Sequence, residues 1–557
     1  MTDRIWLGSY PPGVSADIDV AQYASLVELM DESFVRFRER VAYTFMGRRF
    51  TYGQIDEYSR ALGAYFQSLG LAKGERVAIM MPNVPQYPVA VAAILRTGLV
   101  LVNVNPLYTP RELEHQLRDS GAKGIVILEN FALTLQKCIT ATEVRHVVLC
   151  RVGDSLGALK GTVVNFVLRR VRKMVPEFQL ANAVGFKLAL AIGRKSSWKK
   201  VSVQSEDIAV LQYTGGTTGV AKGAVLLHRN LVANVLQNEA WTLPLLSQIP
   251  ATEQMTEVCA LPLYHIYAFT FCMMLSVRMG GNLILIINPR DIAALLKDMA
   301  RQKIHVFPAV NTLFNAVVHH ADFASVDWKH LRAATGGGAA IQRAVAKAWM
   351  EKTGLPILEG YGLSETSPTA AGNPANATQY SGAIGVPICN TWMKLLDDSG
   401  NEVAAGQPGE IAIKGPQVMA GYWQRPDETA RVMTPDGYLK TGDIATMDER
   451  GYFFIIDRKK DMILVNGFNV YPAELEDVVT QMEGVLECAC VGVPDDKSGE
   501  AVKLVVVRQD PALTEAQVRA YCKQHLTGYK QPRKVEFRTE LPKTPVGKIL
   551  RRELRDK

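Results

Sequence analysis

The chain has 557 residues, more than one hydrophobic core normally holds, so about two to four domains are expected at roughly 150 residues each. A hydrophobic share of 48% with 21% charged residues excludes a disordered chain. A net charge of +7 permits acidic partners such as nucleotides, CoA or anionic lipid head groups without choosing among them.

No uncharged apolar run approaches the roughly 18 residues of a spanning helix; the best candidates stop at Arg96 and Arg278. The opening MTDRIWLGSYPPG carries early charge and prolines, so no signal peptide is read there. The eight cysteines are scattered, and Cys488 and Cys490 are too closely spaced for a zinc knuckle. They read as reduced, buried thiols of a cytosolic protein. No nucleic-acid partner is expected.

Residues 50–130 alternate strand and helix patterns. GERVAIMM, LVLVNVN and GIVIL read as buried strands, and YPVAVAAIL reads as an apolar helix. In TPRELEHQLRDSG, Thr109 is a candidate N-cap, Pro110 takes the first helical position, Glu112 closes a capping box and Gly121 follows the end. This order predicts a parallel sheet covered by helices.

Residues 160–200 depart from that rhythm, with ten Lys or Arg against Glu177 alone, a net +9. Val164, Leu168, Val171 and Val175 fall at helical spacing, with basic residues beside and opposite them. One reading is a helix lying on an anionic membrane surface. The other is an insertion packed on its own domain, or a dimer contact.

The stretch 210–228, VLQYTGGTTGVAKGAVLLH, places a loop of Gly, Thr and one Lys between two apolar runs. Gly215, Gly216, Gly219 and Gly223 allow backbone N–H groups to converge on phosphate oxygens. Thr214, Thr217 and Thr218 add hydroxyls, and Lys222 adds a point charge. It is not a Walker A loop, because Ala221 precedes Lys222 and Gly223 follows it.

Further on, short strands separated by DDSGNE, GQPGE and DERGY suggest a small β subdomain over 382–456. The charged run DRKKDM marks a linker at 457–462, and 463–557 reads as a compact α+β unit. In that unit a helix starts at Pro472, strands lie near 485–493 and 501–507, and Thr514 with Gln517 opens a second helix.

YTGGTTGVAKG resembles the phosphate loop of the acyl-adenylate-forming superfamily of acyl-CoA synthetases, peptide-synthetase adenylation domains and firefly-type luciferases. The family usually has Pro where Ala221 stands. GGGA at 336–339, GYGLSET at 360–366, GYLKTGD at 437–443, DRKKDMI at 457–463 and PKTPVGK at 542–548 follow in the family's order. NVNPLYTPRELEHQL and LTGYKQPRKVEF look most like the bacterial long-chain fatty-acid–CoA ligases. The resemblance implies an α/β fold: a large N-terminal domain (1–456) with parallel sheets and the β subdomain, then a small, mobile α+β C-terminal domain.

It also implies the chemistry: ATP activates a long-chain fatty acid to acyl-AMP, and CoA takes the acyl group. Thr214, Gly215, Gly216, Thr217, Thr218, Gly219 and Lys222 would hold the phosphates. Glu365 and Thr214 would position Mg²⁺, an ion that takes oxygen ligands. Gly337, Gly338, Ala339, Tyr361, Gly362 and Ser364 would form the adenine and acyl wall, and Asp443 and Arg458 would meet the ribose. Lys548 would be the catalytic lysine between carboxylate and α-phosphate, His265 would line the acyl pocket, and Lys460 would be the hinge. A cytoplasmic enzyme attached peripherally to the inner membrane, with room for a homodimer, is the resulting expectation. Two alternatives stay open: a stand-alone adenylating enzyme that loads a carrier protein, and a non-catalytic nucleotide or lipid sensor on the same fold.

Overall fold

The computed structural model describes residues 4–555, apart from 215–220, 466–467, 496–497 and 545–546. Two large sheets carry the N-terminal part. In the first, strands Ile208–Thr214, Val100–Asn103, Arg76–Met80, Gly124–Leu128, His146–Cys150 and Ala183–Gly185 run parallel in that spatial order. The strand Lys222–Leu227 pairs antiparallel with Ile208–Thr214 and closes the hairpin around the Gly/Thr loop. The second sheet has nine strands and is parallel from Ile357–Gly362 to Val41–Phe45, with antiparallel margins. One apolar core joins the two sheets through the fully buried helix Gln86–Arg96.

Local chemistry explains why the elements begin where they do. The helix Pro110–Ser120 has its capping box: Glu112 N–H donates to Thr109 Oγ1 at 3.4 Å, and Thr109 N–H donates to Glu112 Oε2 at 2.8 Å. Gly121 then turns at φ +60°, where a side chain would be strained. Thr514 and Gln517 repeat the box ahead of Glu515–His525.

A four-stranded antiparallel sheet, Trp392–Leu396, Gly409–Lys414, Leu439–Met447 and Phe453–Arg458, forms the β unit. Its limits differ from the sequence reading on both sides. Val386–Pro387 pairs into the nine-stranded sheet, and Asp457 and Arg458 finish a strand, so the turn proper is 459–462. Beyond it, strands Val485–Asp495 and Gly499–Arg508 and helices Pro472–Thr480 and Glu515–His525 enclose separate cores. All eight cysteines are free and buried.

The basic segment is both packed and exposed. Helix Ala158–Phe166 continues into a wider π turn, Val167–Val171. Gly161 lies so close to Gly153 that a Cβ would stand 2.2 Å from its carbonyl oxygen, which fixes the helix against its own domain. Val164 and Leu168 pack on the core, whereas Leu159 (83% exposed), Val163, Phe166, Val171 (63%) and Met174 face solvent. The stripe read from sequence is therefore split: the π turn breaks the 3.6-residue period, so Val164 and Leu168 face inward and Val171 faces outward. Arg169 is withdrawn into an ion pair with buried Glu129, while Arg170, Arg172 and Lys173 are exposed. Among the described residues no helix is long and apolar enough to cross a membrane.

Candidate active site

The site lies where the hairpin, the end of the nine-stranded sheet, the β unit and the C-terminal tail converge. Thr214 and Lys222 face each other across the hairpin, and Thr214 Oγ1 donates to the Lys222 carbonyl at 3.4 Å. Gly215, Gly216, Thr217, Thr218 and Gly219 lie outside the described residues. The Lys222 ammonium pairs with Glu428 and stands 5.5 Å from the Tyr422 ring centroid. That pairing holds the Glu428 carboxyl below its usual range. His115 Nε2 meets the Ala221 carbonyl at 3.1 Å, and Tyr213 OH donates to Asp119 at 2.7 Å, so both strands of the hairpin are braced by helix Pro110–Ser120.

Strand Ile357–Gly362 delivers the next group. A Cβ on Gly362 would lie 1.8 Å from the Pro368 carbonyl oxygen, so only glycine fits. Ser364 opens the turn that carries Glu365, whose Oε1 accepts from Tyr422 OH at 2.8 Å. Burial pushes the Glu365 carboxyl up, against the hydrogen bond from Tyr422. No cation lies within ion-pair distance of Glu365 among the described residues. A carboxylate so placed, close to the Thr214 strand, fits a hard divalent cation such as Mg²⁺.

Tyr361 is buried, and its hydroxyl donates to Asp443 Oδ2 at 2.6 Å. Asp443 Oδ1 lies 3.2 Å from Arg458 Nε, the two residues facing each other across neighbouring strands. Asp443 is almost fully enclosed, so this is not the surface ion pair that the residue types alone would also allow.

The wall opposite is the segment after strand Ala333–Gly336. A Cβ on Gly337 would meet the Tyr267 ring at 3.0 Å, Gly338 turns at φ +79°, and Ala339 is exposed. Glu359 secures this wall: its Oε1 accepts from Ile341 N–H at 2.9 Å, and burial raises its carboxyl to about 7.

His265 Nδ1 accepts from Tyr267 N–H at 3.3 Å. Burial, then the nearby Lys548 charge, lower the imidazole to about 4, so it is neutral at pH 7. A neutral ring with one nitrogen already engaged suits positioning better than proton transfer.

The C-terminal tail completes the site. Lys548 N–H donates to Thr544 Oγ1 at 3.0 Å and Thr544 N–H to the Lys548 carbonyl at 2.7 Å, two bonds that fix the backbone of the lysine. At Gly547 a Cβ would come within 2.7 Å of Thr312 Oγ1, so this glycine sits directly on the N-terminal domain. Burial lowers the Lys548 ammonium to about 7; Arg458 and Lys460 add to this, and Asp443 opposes it. Lys548 thus shares one electrostatic neighbourhood with Asp443, Arg458 and His265. Lys460 lies in the turn between Arg458 and Ile463.

The residues that sequence reasoning missed are Tyr422, Glu428, Glu359, Asp119 and Thr312. No motif marks them. Tyr422, Glu428, Glu359 and Asp119 each act through a partner distant along the chain, as Glu428 does on Lys222 or Tyr422 on Glu365, and Thr312 borders Gly547 of the tail.

Comparison with known proteins gives the family and the fold. Residues 30–423 match the family model described as AMP-binding enzyme, and 474–548 match the AMP-binding enzyme C-terminal domain. The long-chain-fatty-acid–CoA ligase of Salmonella typhimurium (strain LT2) is 54% identical over 99% of this chain and 98% of its own length. Among solved structures, ATP-bound MatB from Rhodopseudomonas palustris superposes with a TM-score of 0.78 at 27% identity, over 95% of this chain and 98% of that one. Anthranilate CoA ligase AuaEII with anthranoyl-AMP gives 0.84 at 24% identity, over 96% and 98%, a likeness of fold.

Proposed function

The chain belongs to the AMP-binding enzyme family, and from that premise we propose that it joins long-chain fatty acids to CoA through an acyl-AMP intermediate. The observation that carries this reading is that Lys548, from the C-terminal tail, is gathered with Asp443 and Arg458 of the β unit and His265 of the N-terminal part in one electrostatic neighbourhood.

In the first step a carboxylate oxygen attacks the α-phosphorus and pyrophosphate leaves. Two anions must approach while charge builds on phosphate, so positioned cations dominate the catalysis. Lys222 and the Thr214–Gly219 loop hold the β- and γ-phosphates. Glu365 and Thr214 would hold Mg²⁺, which would offset phosphate charge. Tyr361 with Gly337–Ala339 receives the adenine, Asp443 and Arg458 receive the ribose hydroxyls, and Gly362 and Ser364 shape the turn that aims Glu365. Lys548 stands between carboxylate and α-phosphate. Its neighbour His265, neutral, orients the carboxylate.

In the second step the CoA sulfur attacks the acyl carbonyl, the thiol proton is lost and AMP departs. Lys548 fills the entry, so the C-terminal domain (463–557) must turn away from the N-terminal one, which ends with the strand Phe453–Arg458, with 459–462 as linker and Lys460 as pivot.

The same reading puts the enzyme reversibly on an anionic bilayer at the cytoplasmic face, where its substrate is concentrated. Exposed Leu159, Val163, Phe166, Val171 and Met174, beside exposed Arg170, Arg172 and Lys173, support that attachment.

The test is formation of AMP and thioester from ATP, Mg²⁺ and a series of saturated acids, first with CoA and then with a carrier protein. AMP and acyl-CoA that appear together, with preference for long chains, are the expected result. Acyl transfer to the carrier protein alone, or no pyrophosphate exchange, would overturn the proposal.

A further inference from the structure

Arg551 lies three residues beyond Lys548 in the tail and is surrounded by carboxylates. Its Nη2 donates to Glu476 Oε2 at 2.7 Å and its Nε to Glu476 Oε1 at 3.1 Å. Its Nη1 reaches Asp457 Oδ1 at 3.2 Å and Asp461 Oδ2 at 3.4 Å. These three acids differ in where they are attached. Glu476 is in helix Pro472–Thr480 and Asp461 is past Lys460, so both travel with the C-terminal domain. Asp457 is paired into the β unit opposite Ile444, on the other side of the turn.

Asp457 makes a second bond across the same divide. Its Oδ2 accepts from Ala473 N–H at 2.8 Å, in the first turn of helix Pro472–Thr480. That helix lacks a cap of its own, because Tyr471 at the N-cap makes no side-chain bond. An N-terminal N–H without a partner is costly, and a carboxylate is the favoured acceptor there. Asp457 is 3% exposed, so neither bond is diluted by water.

We propose that Asp457 is a positioning residue for the adenylation step: through Arg551 and the Ala473 N–H it holds the tail so that Lys548 points into the site, and it lets go when the domain turns. The inference rests on the two-step ligase reading with a pivot at Lys460. Rotation about that pivot must break both Asp457 bonds, while Arg551 keeps Glu476 and Asp461.

The experiment measures the two half-reactions separately in the full chain: pyrophosphate release from ATP and a long-chain acid, and thioester formation from supplied acyl-AMP and CoA. Asp457→Asn should slow the first by about ten- to hundredfold, the loss expected for a charge-assisted hydrogen bond, while the second holds or rises. Arg551→Lys, which keeps the charge but not the fork, should shift the ratio in the same direction. Asp461→Asn and Glu476→Gln alter only partners that move with Arg551, so the ratio should stay at the wild-type value. Equal loss of both half-reactions in Asp457→Asn and Arg551→Lys, or the same split in Glu476→Gln, would overturn the proposal. A wild-type protein that makes no thioester from acyl-AMP would instead overturn the ligase reading itself.

Discussion

Replacing Lys548 by Ala separates what the lysine costs the protein from what it does for the reaction. Burial first, with Arg458 next, lowers its ammonium from 10.5 to about 7. At 1.36 kcal/mol per unit this is at most about 5 kcal/mol against the charged form, reduced further because the half-buried side chain retains solvent contact. The sign follows from linkage: the closed arrangement binds fewer protons than the open chain, so the penalty is absent above the free value and grows as pH falls toward 7. It is complete below about 7. The phosphates of ATP reverse it by supplying the missing negative charge, so binding of ATP near pH 8 should take up a proton. Lys548→Ala removes the penalty along with the catalytic charge. Its melting temperature at pH 6 should therefore equal or exceed that of the wild type, although acyl-AMP formation falls. Loss of one group aimed at developing oxyanion charge costs about 10²–10³ in rate, roughly 2.7–4 kcal/mol. Pyrophosphate release reads the first half-reaction, and thioester formed from supplied acyl-AMP and CoA reads the second, which should persist. Equal losses in the two, or a clearly lower melting temperature at pH 6, would refute the reasoning.

Lys460→Pro fixes φ near −65° and removes an N–H at the proposed pivot, so adenylation should largely persist while thioester formation falls; a native rate of thioester formation would exclude Lys460 as hinge. Glu365→Gln tests the cation site. Because burial raises the folded carboxyl above 4.5, its ionisation cost is absent at low pH and fully developed above the raised value; the variant should be at least as stable at pH 7 yet need roughly tenfold more Mg²⁺, as expected when a charged ligand is lost, and an unchanged Mg²⁺ dependence would count against the assignment. For the surface segment, the protein should sediment with anionic but not neutral liposomes, with steep loss of binding in salt. Changing Arg170, Arg172 and Lys173 to Gln should weaken binding by about 3 kcal/mol, at roughly 1 kcal/mol per basic residue, without loss of activity on detergent-dispersed substrate. Arg169 is left in place because its pair with Glu129 belongs to the fold. Undiminished sedimentation of the triple variant would leave the segment a packed insertion.

The features legible in the chain were those settled within a few residues. Thr109 with Glu112, and Thr514 with Gln517, close capping boxes because donor and acceptor lie three positions apart on one turn. The alternation of apolar runs over 50–130 leads to the parallel sheet, since strands buried on both faces must be apolar throughout. The family motifs likewise singled out Lys548, Glu365, Tyr361 and Asp443 as candidates by local pattern, and the fold brings these candidates together.

What the tertiary structure alone decided are the partners. Tyr361 OH on Asp443, Lys222 on Glu428, Tyr422 on Glu365 and Asp457 on Arg551 join residues 82, 206, 57 and 94 positions apart. Such pairs depend on strand order and on where the tail folds back, and no spacing rule reaches that far. The segment 158–174 shows the same limit at shorter range. Its composition announced a basic, amphipathic helix, but the π turn and the close approach of Gly161 to Gly153 decided which apolar residues meet the core and which are left facing water.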